Sequence, residues 1–355
     1  MAVAGIGRIE KHTLCEMERC YCASSVTIDG ELYVIFASES VGGPCYAYTG
    51  RGFSRREVVW ESAGGTMSLI QIPGTNGEFL AVQNFFPGFK SQKAKIVWGR
   101  RSGNSAWETR DVLSLPFLHR FDVFRVEGVN YFLGATLCTS KKDREDWSDP
   151  GKVYAGVLPD NFDQSGNSFE ISPIMEGMYR NHGYWRGSYD GRDAGFVTSD
   201  SGIYAILPPL NANGKFDIRL IMGRPVGDAA LFDLDGDGVD ELVTIEPFHG
   251  DGVYIYKLIG NEYKKVYEYP GEIEFAHVIW AGLIRGAPTV IGGVRRRNCE
   301  LFYIQCLDYE LQKYESSLIE SGVGTSNVAV VSQGDMDILI SANHTKNEAA
   351  LYIFS

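Results

Sequence analysis

One turn signal recurs along the whole chain and limits what it can fold into. It appears as Asp29-Gly30, the turn from Gly74 to Gly77, Glu127-Gly128, Asp190-Gly191, the turn from Asp235 to Gly238, Arg285-Gly286 and Gln333-Gly334. The intervals are about 45 to 63 residues, close to the period of a propeller blade. Around each turn the apolar runs are short and β-rich, as in ELYVIFAS, EFLAVQNFF, ELVTIEP and MDILISAN. Helical periodicity is nearly absent. Short strands at even spacing, parted by turn residues, read as all-β.

Seven turns in 355 residues leave about 51 residues per unit, enough for four strands. The last unit is short, ending at Ser355 after two or three strands, while GIGRIEKHTLCE at the N-terminus precedes the first unit. Ring closure reconciles the two: the N-terminal segment becomes the outer strand of the last blade, which removes an exposed edge. The expected fold is one seven-bladed β-propeller domain over 1–355, with six or eight blades as alternatives because the second and third units carry long insertions.

The repeat gives meaning to the histidines. His119, His182 and His277 each stand nine residues before a turn glycine, Gly128, Gly191 and Gly286. His249 ends the next strand in TIEPFHGDG, and His344 ends one in SANHTKN. In a ring these side chains gather on one face, the first four near its centre; His12 belongs to an outer strand. Histidine is the commonest metal ligand. The expectation is a divalent transition metal (Mn, Zn, Ni or Fe) held by His119, His182, His249 and His277, or by three of them with one left as a base. The alternative is a set of hydrogen-bonded structural histidines.

Polar groups at equivalent rims complete the expected site. Arg120 and Arg186 are candidates for binding substrate oxygens, since a planar guanidinium fork suits a carboxylate or several hydroxyls. Tyr184 is the candidate acid/base, with His182 able to exchange roles with it. Gln83, Tyr179, Arg295, Asn343 and His344 are candidate substrate contacts. The insertion FFPGFKSQKAK (85–95) is expected to overhang this face, whereas TSKKDREDWSDPGK (139–152) reads as a charged surface loop.

The sharpest local motif is Asp233-Leu-Asp235-Gly-Asp237-Gly-Val-Asp240-Glu241. Carboxylates at the first, third, fifth and ninth positions of a glycine-punctuated loop can surround calcium. The motif resembles the loop of FG-GAP and VCBS repeats, families of propeller blades, with Glu241 where their pattern has Asp. The resemblance implies a structural calcium on Asp233, Asp235, Asp237 and Glu241. The other turns lack these ligands.

The formal net charge of -12 argues against nucleic acid and anionic membrane as partners, and leaves open an anionic small substrate in a locally basic cleft. No stretch approaches the roughly 20 apolar residues of a membrane span. The N-terminus lacks the basic-then-apolar pattern of a signal peptide. Seven scattered cysteines suit a reduced, cytoplasmic protein. There is no phosphate-binding loop, dinucleotide fingerprint or GxSxG.

A metal polarising a carbonyl or carboxylate, beside a His or Tyr that takes the α-proton, suits β-elimination. The expected function is therefore a metal-dependent lyase or dehydratase acting on a small carbohydrate. In architecture this is similar to the oligogalacturonate lyases and the aldos-2-ulose dehydratases. Two alternatives stand: a non-catalytic glycan- or protein-binding propeller with structural calcium, and a metal-free His/Tyr lyase.

Overall fold

The computed structural model describes residues 6–103, 105–163, 168–211 and 214–355. Its strands form seven antiparallel four-stranded sheets. Six are continuous in sequence, at residues 20–60, 69–114, 118–178, 184–222, 228–268 and 276–320. The seventh contains Thr325–Gln333, Met336–Asn343 and Glu348–Phe354, with Ile9–Glu16 on its outside. Ile9 pairs with Phe354 and Glu16 with Glu348, as ring closure requires.

The apolar core is divided into seven clusters, each filling the gap between two neighbouring blades. Tyr33, Ile35 and Trp60 of the first blade meet Phe79 and Val97 of the second. Ile338, Ile340 and Leu351 of the last meet Val34 and Phe36 of the first. Close stacking uses glycine where a ring must lie flat on the neighbouring strand. A Cβ on Gly99 would sit 2.3 Å from Phe79, and one on Gly292 would sit 2.2 Å from Phe302. Because the hydrophobic driving force acts between blades, the ring axis is free for polar side chains. Among the described residues no helix is long and apolar enough to cross a membrane.

The closing strand carries a large share of this arrangement. Lys11 on it pairs with Glu320 and Glu348, both at 2.7 Å. Deleting residues 1–16 would expose the backbone edge of Glu348–Phe354 and open the ring. The expected result is loss of more than about 4 kcal/mol, with aggregation through the new edge. Thermal unfolding and gel filtration of the truncated chain check this.

Candidate metal centre

The first strand of each blade lies innermost, and four of these strands begin with an irregularity. Register shifts fall between Cys20 and Cys22, Leu118 and Arg120, Ala276 and Val278, and Thr325 and Asn327. The skipped residues are Tyr21, His119, His277 and Ser326. A bulge re-aims the extra side chain, and here it aims toward the axis. Two residues upstream of the axial position the backbone repeatedly turns left-handed: Arg19 (φ 46), Phe117 (φ 58), Arg180 (φ 50) and Phe275 (φ 64). That conformation costs a non-glycine residue about 1–3 kcal/mol and concentrates at functional sites.

The resulting ring is tied together residue to residue. His119 Nδ1 donates to the carbonyl of His182 (3.1 Å), and His182 Nδ1 to that of Gly227 (3.3 Å). His277 Nδ1 donates to the carbonyl of Ser326 (2.8 Å), whose hydroxyl lies nearest the carbonyl of Cys20 (3.0 Å), on the first strand of the next blade. Each bond reaches the next blade's first strand or the residues leading into it. A carbonyl can only accept, so the proton of each of these three imidazoles is on Nδ1. Their Nε2 lone pairs are left for the centre. Ligating histidines are commonly held this way, the second nitrogen donating to a carbonyl.

His249, just past the end of Glu241–Glu246, reaches in from the side. Its ring stacks on Phe275 at 4.1 Å, and its Nε2 lies 3.1 Å from that of His182. One ligand nitrogen each from His182, His249 and His277 lies within 4.8 Å of the others. Burial pushes all of these imidazoles below their usual range, His182 to about 3, and the neighbouring arginines add to this. Neutral imidazole is the ligating form.

His119 stands slightly apart. Tyr21 Oη is 3.2 Å from His119 Nε2 and 3.3 Å from His277 Nε2. A hydroxyl donates once, so it can serve only one of these acceptors. Donation to His119 leaves His277 free to ligate. The arrangement is then three candidate ligands plus a Tyr21–His119 pair, rather than four equivalent histidines. Burial pushes the Tyr21 hydroxyl up to about 12. Tyr21 stands nine residues before Gly30, the same phase as three histidines. Its place in the repeat is the sequence signal that brings it to the axis.

The cluster forms the floor of a cavity of about 720 Å³. Both insertions line it. Trp147 packs edge-on between Phe89 (5.3 Å) and Phe248 (5.4 Å), with the Lys141 ammonium 3.4 Å over its ring. The 139–152 segment, expected as a plain surface loop, is thus part of the wall. Arg19, Arg144, Arg180, Arg295 and Arg296 face three carboxylates, Glu39, Glu145 and Asp200. The cavity is therefore basic in an acidic chain. Arg19 pairs with Glu39 and Arg180 with Asp200. Arg295 donates to His344, which is 2.8 Å away and bonded in turn to Glu39 at 2.7 Å.

Several expected site residues lie elsewhere. Tyr184 donates to Asp122 (2.9 Å), and Arg186 is held by Asp193 (2.9 Å) and the carbonyl of Val123 (3.0 Å). Neither lines the cavity. Each residue along a strand advances about 3.3 Å, so positions two and four beyond His182 fall well behind the ring. Arg120 lines a smaller chamber there. Asn343 is consumed inside the last blade, accepting from Thr325 and Ser341 and donating to Glu348 and Tyr352. Gln83 is buried and Tyr179 exposed, both outside the wall.

The Asp-rich loop is distant from this centre in the fifth blade. Asp233 accepts the amides of Gly236 (2.7 Å) and Gly238 (2.9 Å). Between Asp235, Asp237 (2.8 Å) and Glu241 (3.2 Å) sits the ammonium of Lys257. Asp233, Asp235 and Asp237 still offer oxygens within 4.8 Å of one another.

The chain matches no family model and no curated protein sequence. Among solved structures it is similar to the BBS1N chain of a crystal structure of BBS1N in complex with ARL6DN, soaked with lead. The TM-score is 0.53 and the identity 12%, covering 97% of this chain and 94% of that one. At this identity the likeness carries the propeller fold alone.

Proposed function

We propose that the chain is a metal-dependent enzyme that removes a β-substituent from a small anionic carbohydrate, next to its carbonyl or carboxylate. The observation carrying this reading is the convergence of His182, His249 and His277, two with Nδ1 already committed to carbonyls. Three neutral imidazoles facing an open cavity fit a divalent transition ion with a position left for substrate. Bound there, such an ion supplies a Lewis acid for the substrate oxygen.

The protein's own groups supply the rest. The guanidinium of Arg295, in the wall, suits a carboxylate. The Tyr21–His119 pair handles the proton. The α C–H bond breaks, its proton passes to the Tyr21 oxygen, and Tyr21 passes its own to His119 Nε2. The β C–O bond breaks as the alkene forms, and the leaving oxygen takes a proton back. Trp147, Phe89 and Phe248 offer apolar faces and exclude water.

Tyr21→Phe keeps the ring and removes the hydroxyl. On this reading it lowers kcat by about 10²-fold or more while metal content stays at the wild-type level. Turnover of acidic oligosaccharides, followed by formation of the unsaturated product, measures it. Full turnover after exhaustive chelation would sink the metal reading in favour of the metal-free His/Tyr alternative.

A second reading draws on the likeness to BBS1N, a chain seen in complex with ARL6DN. Under it this propeller is a binding module without turnover. A protein that carries no stoichiometric metal and turns over none of the acidic sugars supports that reading.

A further inference from the structure

Behind the histidine ring the inner strands enclose a second chamber of about 200 Å³. Its lining begins where the axial residues end: Arg120 follows His119, Asp228 follows Gly227, and Val278 follows His277. Arg120 is only 8% exposed. Its Nη1 donates to the carbonyl of Met67 (3.2 Å), and its guanidinium lies 5.9 Å from the Tyr21 ring centre. Among the described residues no ion pair joins it to a carboxylate.

An arginine has five N–H donors and cannot shed its charge. Buried without a salt bridge, it carries a desolvation cost that Asp228 offsets only in part, through space, and that an anion in direct contact would offset further. Asp228, 5% exposed, shares the chamber but is not an ion-pair partner. Its oxygens accept the amides of Ala229 (3.0 Å) and Ile279 (3.3 Å). Burial pushes its carboxyl up to about 7, so near neutrality it is partly protonated and opposes an incoming anion only weakly. The remaining lining is largely apolar, with Leu69, Ile279 and Val328 on the walls. The half-buried indoles of Trp185 and Trp280 meet edge to face at 6.4 Å further along the same strands.

The geometry points to a ligand site in this chamber for a short-chain monocarboxylate, its head gripped by the Arg120 fork and its apolar body packed against Leu69, Ile279 and the two indoles. A planar guanidinium favours a carboxylate over a spherical halide, and the apolar walls favour a carbon chain over inorganic phosphate. The site is separate from the metal centre and does not depend on the metal reading. It does touch the centre through Arg120, whose charge lies over the ring of Tyr21.

The test is a titration of intrinsic tryptophan fluorescence with acetate and butyrate, against chloride at matched ionic strength. Saturable binding is expected, tighter for butyrate and absent for chloride. Arg120→Met should weaken it by about tenfold or more. Arg120→Lys should fall between, and Asp228→Asn should tighten it. His182→Ala should leave it unchanged, which separates this site from the metal centre. Equal responses to chloride and the carboxylates overturn the proposal. So does an Arg120→Met protein with native circular dichroism that titrates like wild type. Should that variant fail to fold, unchanged affinity in both Arg120→Lys and Asp228→Asn overturns it instead.

Discussion

His182→Ala and His277→Ala are each expected to reduce bound transition metal from about one ion per chain to a trace, and to abolish any turnover that depends on it. Elemental analysis of protein purified without chelator reads the first effect directly. The expectation follows from how each imidazole is held. The Nδ1 bonds to Gly227 and Ser326 fix ring orientation as well as tautomer, so each ring is preset to ligate and its loss removes a positioned donor. A three-nitrogen site that loses one ligand keeps two, too few for a stable tetrahedral ion. His119→Ala is the informative contrast. Its Nε2 is within reach of Tyr21, so metal should remain at near wild-type occupancy while turnover falls with the lost proton acceptor. If His119→Ala also empties the site, the four-ligand arrangement is correct and the Tyr21–His119 pair is not a separate device.

The turn repeat made the ring, its closure and the convergence of the histidines legible before any coordinates. A blade repeat assigns each position a height along the axis, and residues of one phase must meet. Tyr21 shares the phase, nine residues before Gly30, yet it was not among the candidates because tyrosine is not a typical metal ligand. Tyr184, Arg186 and Arg120 were misplaced because sequence adjacency to a site histidine was read as spatial adjacency. A strand leaving the ring carries each following residue further down the channel. Trp147 was missed for another reason. Its loop is charged and irregular, and nothing in DREDWSDP signals that the indole folds back between Phe89 and Phe248. Long-range side-chain meetings of this kind have no periodicity to betray them.

Lys257 is the clearest instance, and it yields the second large effect. It lies 16 positions beyond Glu241 in sequence, on Gly252–Ile259, yet its ammonium stands among the carboxylates expected to hold calcium. Burial works against its charge, but bonds to Asp235, Asp237 and Glu241 outweigh that and push the ammonium up. One internal ammonium thus offsets part of the loop's negative charge. Wild-type protein should show the same Tm with added calcium and with a calcium-selective chelator. Lys257→Met should lose about 3 kcal/mol, the low end for stripping one partner from a buried ionic pair, because Asp235 and Glu241 are buried but Asp237 is exposed. Three carboxylates would then face one another without a cation. In that variant calcium should raise Tm in a concentration-dependent way, since Asp233, Asp235 and Asp237 retain converging oxygens and a ligand bound only by the native state stabilises it by mass action. A wild-type Tm that rises with calcium would instead mean that the ion displaces Lys257, and the internal-cation account of this loop would fall.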